Sequence, residues 1–228
     1  MRTIRLLMAG VVVTGVLALA VPASAATITV NTFADELNGG TNCSLREALA
    51  SANSDGADPL SAGCADGSGA DIIVLPAGTY LKTVVDGLNV TTPVTIDPTG
   101  VVVIDGAGTS LLFFVQPTGT LNVSDLTLRG GNSMGGGGVV NAGTTVLERV
   151  LLEANTASEG GGVANVGTFT ARNVTFSGNQ ALFDGGGLYN QGTATLNNVT
   201  FADNVADSDT NGTGDGGGIF VASGTVNI

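Results

Sequence analysis

Residues 175–199 read TFSGNQALFDGGGLYNQGTATLNNV, and the same pattern recurs on both sides of them. In phase with this unit stand LTLRGGNSMGGGGVVNAGTTVLERV (126–150), LLEANTASEGGGVANVGTFTARNV (151–174) and TFADNVADSDTNGTGDGGGIFVASGTVNI (200–228). Each unit places a glycine triplet ahead of an apolar residue: Gly136 to Gly138 then Val139, Gly160 to Gly162 then Val163, Gly185 to Gly187 then Leu188, and Gly216 to Gly218 then Ile219. Each also has an asparagine near its start: Asn132, Asn155, Asn179 and Asn204. A fixed period of about 25 residues marks an array of stacked supersecondary units.

The units are strand-forming. Val, Thr, Leu and Phe alternate in Thr193-Ala194-Thr195-Leu196 and Val199-Thr200-Phe201. No unit holds a helical period long enough for a leucine-rich or ankyrin-type solenoid. Glycine and asparagine stand where tight turns of positive φ are needed. The pattern predicts an all-β chain in which each unit is one coil of a parallel β-helix, with coils stacked about 4.8 Å apart. Asn155, Asn179 and Asn204 would form one ladder, and Phe176 and Phe201 one core stack. Upstream the repeat weakens, but Asp71-Ile72-Ile73-Val74, Val94-Thr95-Ile96-Asp97, Val101 to Gly106, Leu111 to Val115 and Thr120 to Val123 read as the strands of less regular first coils.

Met1 to Ala25 has the layout of a secretory signal peptide: Arg2 and Arg5, the apolar stretch Leu6 to Val21, then Ala23-Ser24-Ala25 as the cleavage site. Residues 26–70 read as an N-terminal cap. Strand-like Thr27 to Val30 comes first. Ser44 and Glu47 then form a capping box, and Leu45, Ala48, Leu49 and Ala52 make one apolar helical face. Such a helix covers the open end of the solenoid. Arg46, on its polar side, is expected to pair with a carboxylate. Cys43 and Cys64 are the only cysteines and fall in this cap of a chain bound for an oxidising compartment, so a disulfide is expected. It would close a loop of about 20 residues and contribute roughly 3 kcal/mol in the chain-entropy picture. Residues 71–228 form the β-helix. They stop within a unit, at Val226-Asn227-Ile228, which predicts a truncated array continued by further repeats.

The segment CSLREALASAN (43–53), followed by DIIVLPAGTY (71–80), resembles the CSLREA-type N-terminal domain of secreted bacterial β-helix proteins. The pairing of GGG[LIV] with F-x-x-N resembles the repeats of chlamydial polymorphic outer membrane proteins. Here the matches are Phe176 to Asn179 and Phe201 to Asn204, with Leu152 to Asn155 as a weaker copy. The two resemblances cover residues 27 to 228. They imply a right-handed parallel β-helix, secretion, display at the cell surface and an adhesive role. The translocating barrel of the polymorphic proteins is not present in this sequence.

Composition narrows the chemistry. The chain has no histidine, which excludes a histidine base, a histidine-dependent triad and an imidazole metal site. Tryptophan is absent and tyrosine is limited to Tyr80 and Tyr189, a small supply of sugar platforms. The formal charge is −12, and loss of Arg2 and Arg5 would leave five basic against 19 acidic side chains. Such a surface repels nucleic acid and anionic membranes, so a membrane would be reached only through an anchor outside this sequence. The fold also hosts pectate-lyase-like and polygalacturonase-like enzymes. A lyase base would come from Arg149 and Arg172, read as matching positions of adjacent repeats with Asn197 next in line, and paired carboxylates from Glu148, Glu153 or Glu159. These residues read first as solvated turn and face positions.

No cofactor is required by any of these motifs, and calcium is the one the sequence suggests. Asp207, Asp209, Asn211 and Asp215 have calcium-loop spacing around Gly212, but Gly218 takes the place of the bidentate glutamate. The stretch reads first as an acidic loop, with a calcium site as the alternative. The expected function is a structural or adhesive module whose partner is an extracellular protein or polysaccharide. A polysaccharide lyase or hydrolase, and a rigid stalk for a downstream domain, are the rivals.

Overall fold

The computed structural model describes residues 24–228. The signal-peptide reading therefore lies outside the described residues, apart from Ser24 and Ala25. The chain is a parallel β-solenoid. Every strand pair in its 14-stranded and 6-stranded sheets is parallel, and the smaller sheet takes one strand from each of six coils.

One coil shows how the rest are built. Val139–Asn141 forms a first face, Thr144–Glu148 a second and Leu151–Glu153 a third, and Thr156–Glu159 closes the turn. The next two coils repeat this with Val163–Asn165 and Thr168–Ser177, then Leu188–Asn190 and Thr193–Ala202. Coil-to-coil separation is 24 residues from Asn141 to Asn165 and 25 from Asn165 to Asn190. The weaker upstream strands are present as Asp71–Leu75, Pro93–Pro98, Val102–Ser110, Phe113–Val115 and Thr120–Ser124. Leu88–Val90 is a further strand with no sequence-based expectation.

Alternation sends every second residue inward. Phe113, Val139, Val163, Leu188 and Ile219 stack in one column. Leu128, Leu152, Phe176 and Phe201 stack in another. The rings of Phe176 and Phe201 lie 4.7 Å apart and 12° from parallel, as the F-x-x-N repeat predicts.

The glycine triplet has two jobs. Its first residue turns the corner in the left-handed region, with φ of 64° at Gly160 and 68° at Gly185. Its second and third residues let coils approach. A Cβ on Gly161 would sit 2.5 Å from the Gly186 carbonyl oxygen, and one on Gly162 would sit 2.7 Å from that of Gly187. Two more corners per coil use other residues in the same conformation. Asp125, Arg149, Asn173 and Asn198 form one such column, and Gly130, Ala154, Gly178 and Asp203 another.

The asparagine ladder is present as expected. Asn155 Nδ2 donates to Asn179 Oδ1 at 2.9 Å, and Asn179 Nδ2 donates to Asn204 Oδ1 at 2.9 Å. Asn132 is not in line. It pairs in register with Thr156, is exposed, and donates to the Gly108 carbonyl. Gly131 holds the ladder position instead, giving its N–H to Asn155 Oδ1 at 2.8 Å. A second ladder was not anticipated. Asn141 Nδ2 donates to Asn165 Oδ1 and Asn165 Nδ2 to Asn190 Oδ1, both at 2.7 Å, and all three residues are fully buried. Its sequence trace is the recurring N-x-G of Asn141 to Gly143, Asn165 to Gly167 and Asn190 to Gly192. It ends at Val221, which occupies the next register position.

At the head of the solenoid, helix α1 (Leu45–Ser54) starts on the predicted capping box. Ser44 Oγ accepts the Glu47 N–H at 3.1 Å and Glu47 Oε2 accepts the Ser44 N–H at 3.0 Å. Leu45, Ala48, Leu49 and Ala52 are buried against the first coils. The Cys43–Cys64 disulfide ties the loop that follows, with Cα atoms 4.8 Å apart. Thr27–Thr29 extends the solenoid sheet, lying beside Ile72 to Val74.

Asn165→Ala removes a donor and an acceptor from the middle of a closed ladder. It is expected to destabilise the chain by about 1–3 kcal/mol for each buried group left unpaired, measured by urea unfolding. Asn132→Ala, on the surface, should stay within about 0.5 kcal/mol of the parent chain.

Candidate functional site

Three places gather polar chemistry. The first joins the cap to the solenoid. Arg46, from α1, grips Asp35 with two hydrogen bonds, Nε to Oδ1 at 2.7 Å and Nη2 to Oδ2 at 3.1 Å, so the pairing expected of Arg46 is formed. Asp35 Oδ2 also accepts the N–H groups of Thr83 and Val84, at 2.9 and 2.8 Å. Lys82 Nζ lies 4.0 Å from the same oxygen and donates to the Asp86 carbonyl at 2.9 Å. The side chains of Lys82 and Asp35 are 3% and 5% exposed. Burial by itself would raise the Asp35 carboxyl, but the Arg46 hydrogen bond and the two backbone N–H groups outweigh it and hold the group below the usual carboxylate range. Burial, with repulsion from Arg46, brings Lys82 down to about 8. The adjoining cavity, lined by Phe33, Asp35, Tyr80 and Lys82 among others, holds about 10 Å³, room for no more than a single water molecule. This cluster is a clasp. No motif announces it, because Asp35 and Lys82 are far apart in sequence and meet only when the cap docks.

The second place is the corner at Arg149. Its guanidinium forks onto Asp125 at 2.6 and 2.8 Å and also touches Glu148. The cationic column expected of Arg149, Arg172 and Asn197 does not form. Register places Arg172 beside Glu148 and Asn197, while Arg149 takes the left-handed corner shared with Asn173 and Asn198. The reason is a one-residue difference in phase, which on a strand and its corner moves a side chain to another surface. The hydrogen bonds that Arg149 donates to Asp125, then to Glu148, raise its pKa above the ordinary value, the opposite of what a proton-abstracting base needs. The candidate carboxylates are also dispersed. Glu148 ends a strand of the second face, Glu153 lies in register with Arg129 on the third, and Glu159 ends the short closing strand beside Gly135. An open groove of about 330 Å³ runs past this corner, lined by Val101, Asp125, Thr127, Arg149 and Leu151.

The third place is the 207–215 loop. Asp207, at φ 55°, accepts the Gly212 N–H on its carboxylate at 2.9 and 3.0 Å. Asp209 Oδ2 accepts from Asn211 Nδ2 at 2.7 Å, and Asn211 Oδ1 accepts the Thr213 N–H at 3.0 Å. Asp215 gives its N–H to Asp184 Oδ1 at 2.9 Å. The side-chain oxygens of Asp207, Asp209 and Asn211 brace the loop's own turns, while Asp215 is held through its backbone N–H. Among the described residues no three or more Asp, Glu or Cys side chains gather in a metal-holding group.

What remains is the solenoid wall. On its second face, Thr120, Thr144, Thr168, Thr193 and Thr225 point outward in one continuous column. Beside it runs a second, of Thr95, Asn122, Val146, Thr170, Thr195 and Asn227. A shallow groove of about 220 Å³ lies along this wall, between Thr95, Asn122, Ser124, Val146 and Glu148. Sequence reading saw the alternation of Thr193-Ala194-Thr195 but not that five coils bring their threonines into line.

Comparison with known proteins adds no second source: no family model, no curated protein and no solved structure matches this chain.

Asp35→Ala would strand the buried charges of Arg46 and Lys82 and should cost about 3–5 kcal/mol, whereas Lys82→Met leaves the Asp35–Arg46 pair intact and should cost far less. The folded-state pKa of Lys82 lies below the ordinary 10.5, so the unfolded chain binds the extra proton. Stability gained from Lys82 is therefore full above 10.5 and lost as pH falls toward about 8. From pH 10 upward Tyr80 opposes it, because burial pushes its phenol up to about 12. The urea midpoint should rise between pH 8 and pH 10 in the parent chain. That rise should vanish in Lys82→Met.

Proposed function

We propose that this chain is a secreted or cell-surface β-helix protein that serves as a structural and adhesive module, without catalysis of its own. The observation that carries the reading is the wall of outward side chains held in register over successive coils. A wall that presents the same group at every coil suits many weak, simultaneous contacts with an extended partner, which multiply through effective concentration. An extracellular polysaccharide or surface protein is such a partner.

The remaining support is of several kinds. The Cys43–Cys64 disulfide fits an oxidising compartment outside the cytosol. Among the described residues no helix is long and apolar enough to cross a membrane. The signal-peptide pattern of Met1 to Ala25, the CSLREA-like segment and the polymorphic-outer-membrane-protein-like repeats point the same way. Calcium would enter this reading only as a stabiliser of the Asp207, Asp209, Asn211 and Asp215 loop. The Asp207 and Asn211 oxygens that accept these N–H groups keep further lone pairs, so the loop's turns and a cation could be held together.

The test sets adhesion against turnover. The purified chain is incubated with a panel of acidic and neutral polysaccharides and with intact cells. Bound protein is measured alongside release of unsaturated or reducing ends. Saturable binding with no product is expected, and Arg149→Ala should leave both readings unchanged. Product formation abolished by Arg149→Ala or Glu148→Gln would replace this reading with the lyase or hydrolase. Absence of binding to every surface would leave the stalk.

A further inference from the structure

We propose that the threonine wall of the second face is an ice-binding surface, whose ligand is the ordered water lattice of a growing crystal. This inference rests on the adhesive reading and names the ligand of that wall.

The first support is regularity. Strand register continues from Pro93–Pro98 through Thr120–Ser124, Thr144–Glu148, Thr168–Ser177 and Thr193–Ala202 to Thr225–Asn227 without a shift. A parallel stack repeats about every 4.8 Å across strands, and outward residues two apart lie about 6.6 Å apart along a strand. Two columns over six coils therefore make a regular two-dimensional grid, whose two spacings are close to the repeats of hexagonal ice.

The second support is the chemistry at each grid point. Threonine sets a methyl beside a hydroxyl, and its branching at Cβ limits χ1, so little side-chain freedom is lost when a solid surface docks. The methyl favours ordered neighbouring water, and the hydroxyl can take a lattice position within it. Among the described residues, Thr95 is the one threonine of the two columns whose hydroxyl has a protein partner, accepting from Asn122 Nδ2 at 3.4 Å. The hydroxyls of Thr120, Thr144, Thr168, Thr170, Thr193, Thr195 and Thr225 are free to meet water. Val146 keeps the methyls without the hydroxyl, and Asn122 and Asn227 stand toward the two ends of their column.

The third support is where the charges are not. From Pro93 to Asn227 the two columns carry no ionisable side chain. Glu148 and Arg172 occupy a third column at the edge of the face, next to the corner of Arg149. Although the chain carries a net charge of −12, this field lacks the strongly hydrated groups that would hold liquid-like water against it.

The experiment uses the full chain. A dilute solution is frozen slowly onto a cooled probe, the protein captured in the ice is measured against a control protein, and thermal hysteresis is read on single crystals. The double variant T168K and T193K places long cations in the middle of the grid at exposed positions. T200K places one on the exposed part of the third face as a control. Circular dichroism checks that all three chains keep their fold.

The parent chain and T200K should be enriched in ice and show hysteresis. The double variant should lose capture on the order of tenfold, because contacts made in concert fail together. Exclusion of the parent chain from ice overturns the proposal, as does undiminished capture of the double variant. If crystalline chitin or cellulose retains the chain while ice does not, the ice proposal falls and the adhesive reading stands. If neither solid nor any cell surface retains it, both fall.

Discussion

The structure depends on backbone hydrogen bonding between coils that no single coil can complete. A unit of about 24 residues encloses too little apolar volume to fold alone, so each coil takes its partners from the next. The glycine triplet shows the constraint at its tightest. Gly161 gives its N–H to Gly185 at 3.1 Å and Gly162 gives its own to Gly187 at 3.1 Å. A side chain on either residue would strike the neighbouring coil. The corner is therefore both a turn and a contact, and glycine meets both demands.

The asparagine ladders follow from the same requirement. At each tight corner a backbone group faces inward, where water cannot reach it, and an amide supplies both a donor and an acceptor. Asn179 Nδ2 reaches the Leu152 carbonyl at 3.0 Å while its Oδ1 accepts both from Asn155 Nδ2 and from the Asn155 N–H. The ladder thus saturates side chain and corner together. Among the described residues, no buried side-chain polar atom lacks a partner.

Function follows from what the solenoid leaves outside. With the interior spent on stacking and the cap held by Asp35, Arg46 and Lys82, the available chemistry is the repetitive wall. Its register turns a threonine that is ordinary in any one strand into a member of a column. The Arg149 corner shows the other side of this rule. A phase difference of one residue separates two arginines that look equivalent in aligned repeats, and it converts a would-be cationic column into an ion pair with Asp125.

The sequence by itself determined the solenoid, the capping helix and the Cys43–Cys64 pairing, because each rests on local signals: a repeat with strand alternation, a capping box, and two cysteines in one segment. It also made the Asn155 to Asn204 ladder and the Phe176–Phe201 stack legible, since F-x-x-N recurs visibly. Only the tertiary structure decided the rest. Asn132 stands near the start of its unit as Asn155 does, yet it is a surface residue, because unequal unit lengths shift the phase. The Asn141, Asn165 and Asn190 ladder was hidden in loops that read as ordinary turns. The Asp35 clasp joins segments with no shared motif, and the threonine wall exists only once register is set. Local sequence carries conformation, but which side chains meet across coils depends on the register of the whole stack, and one residue of slip changes the face of every side chain that follows.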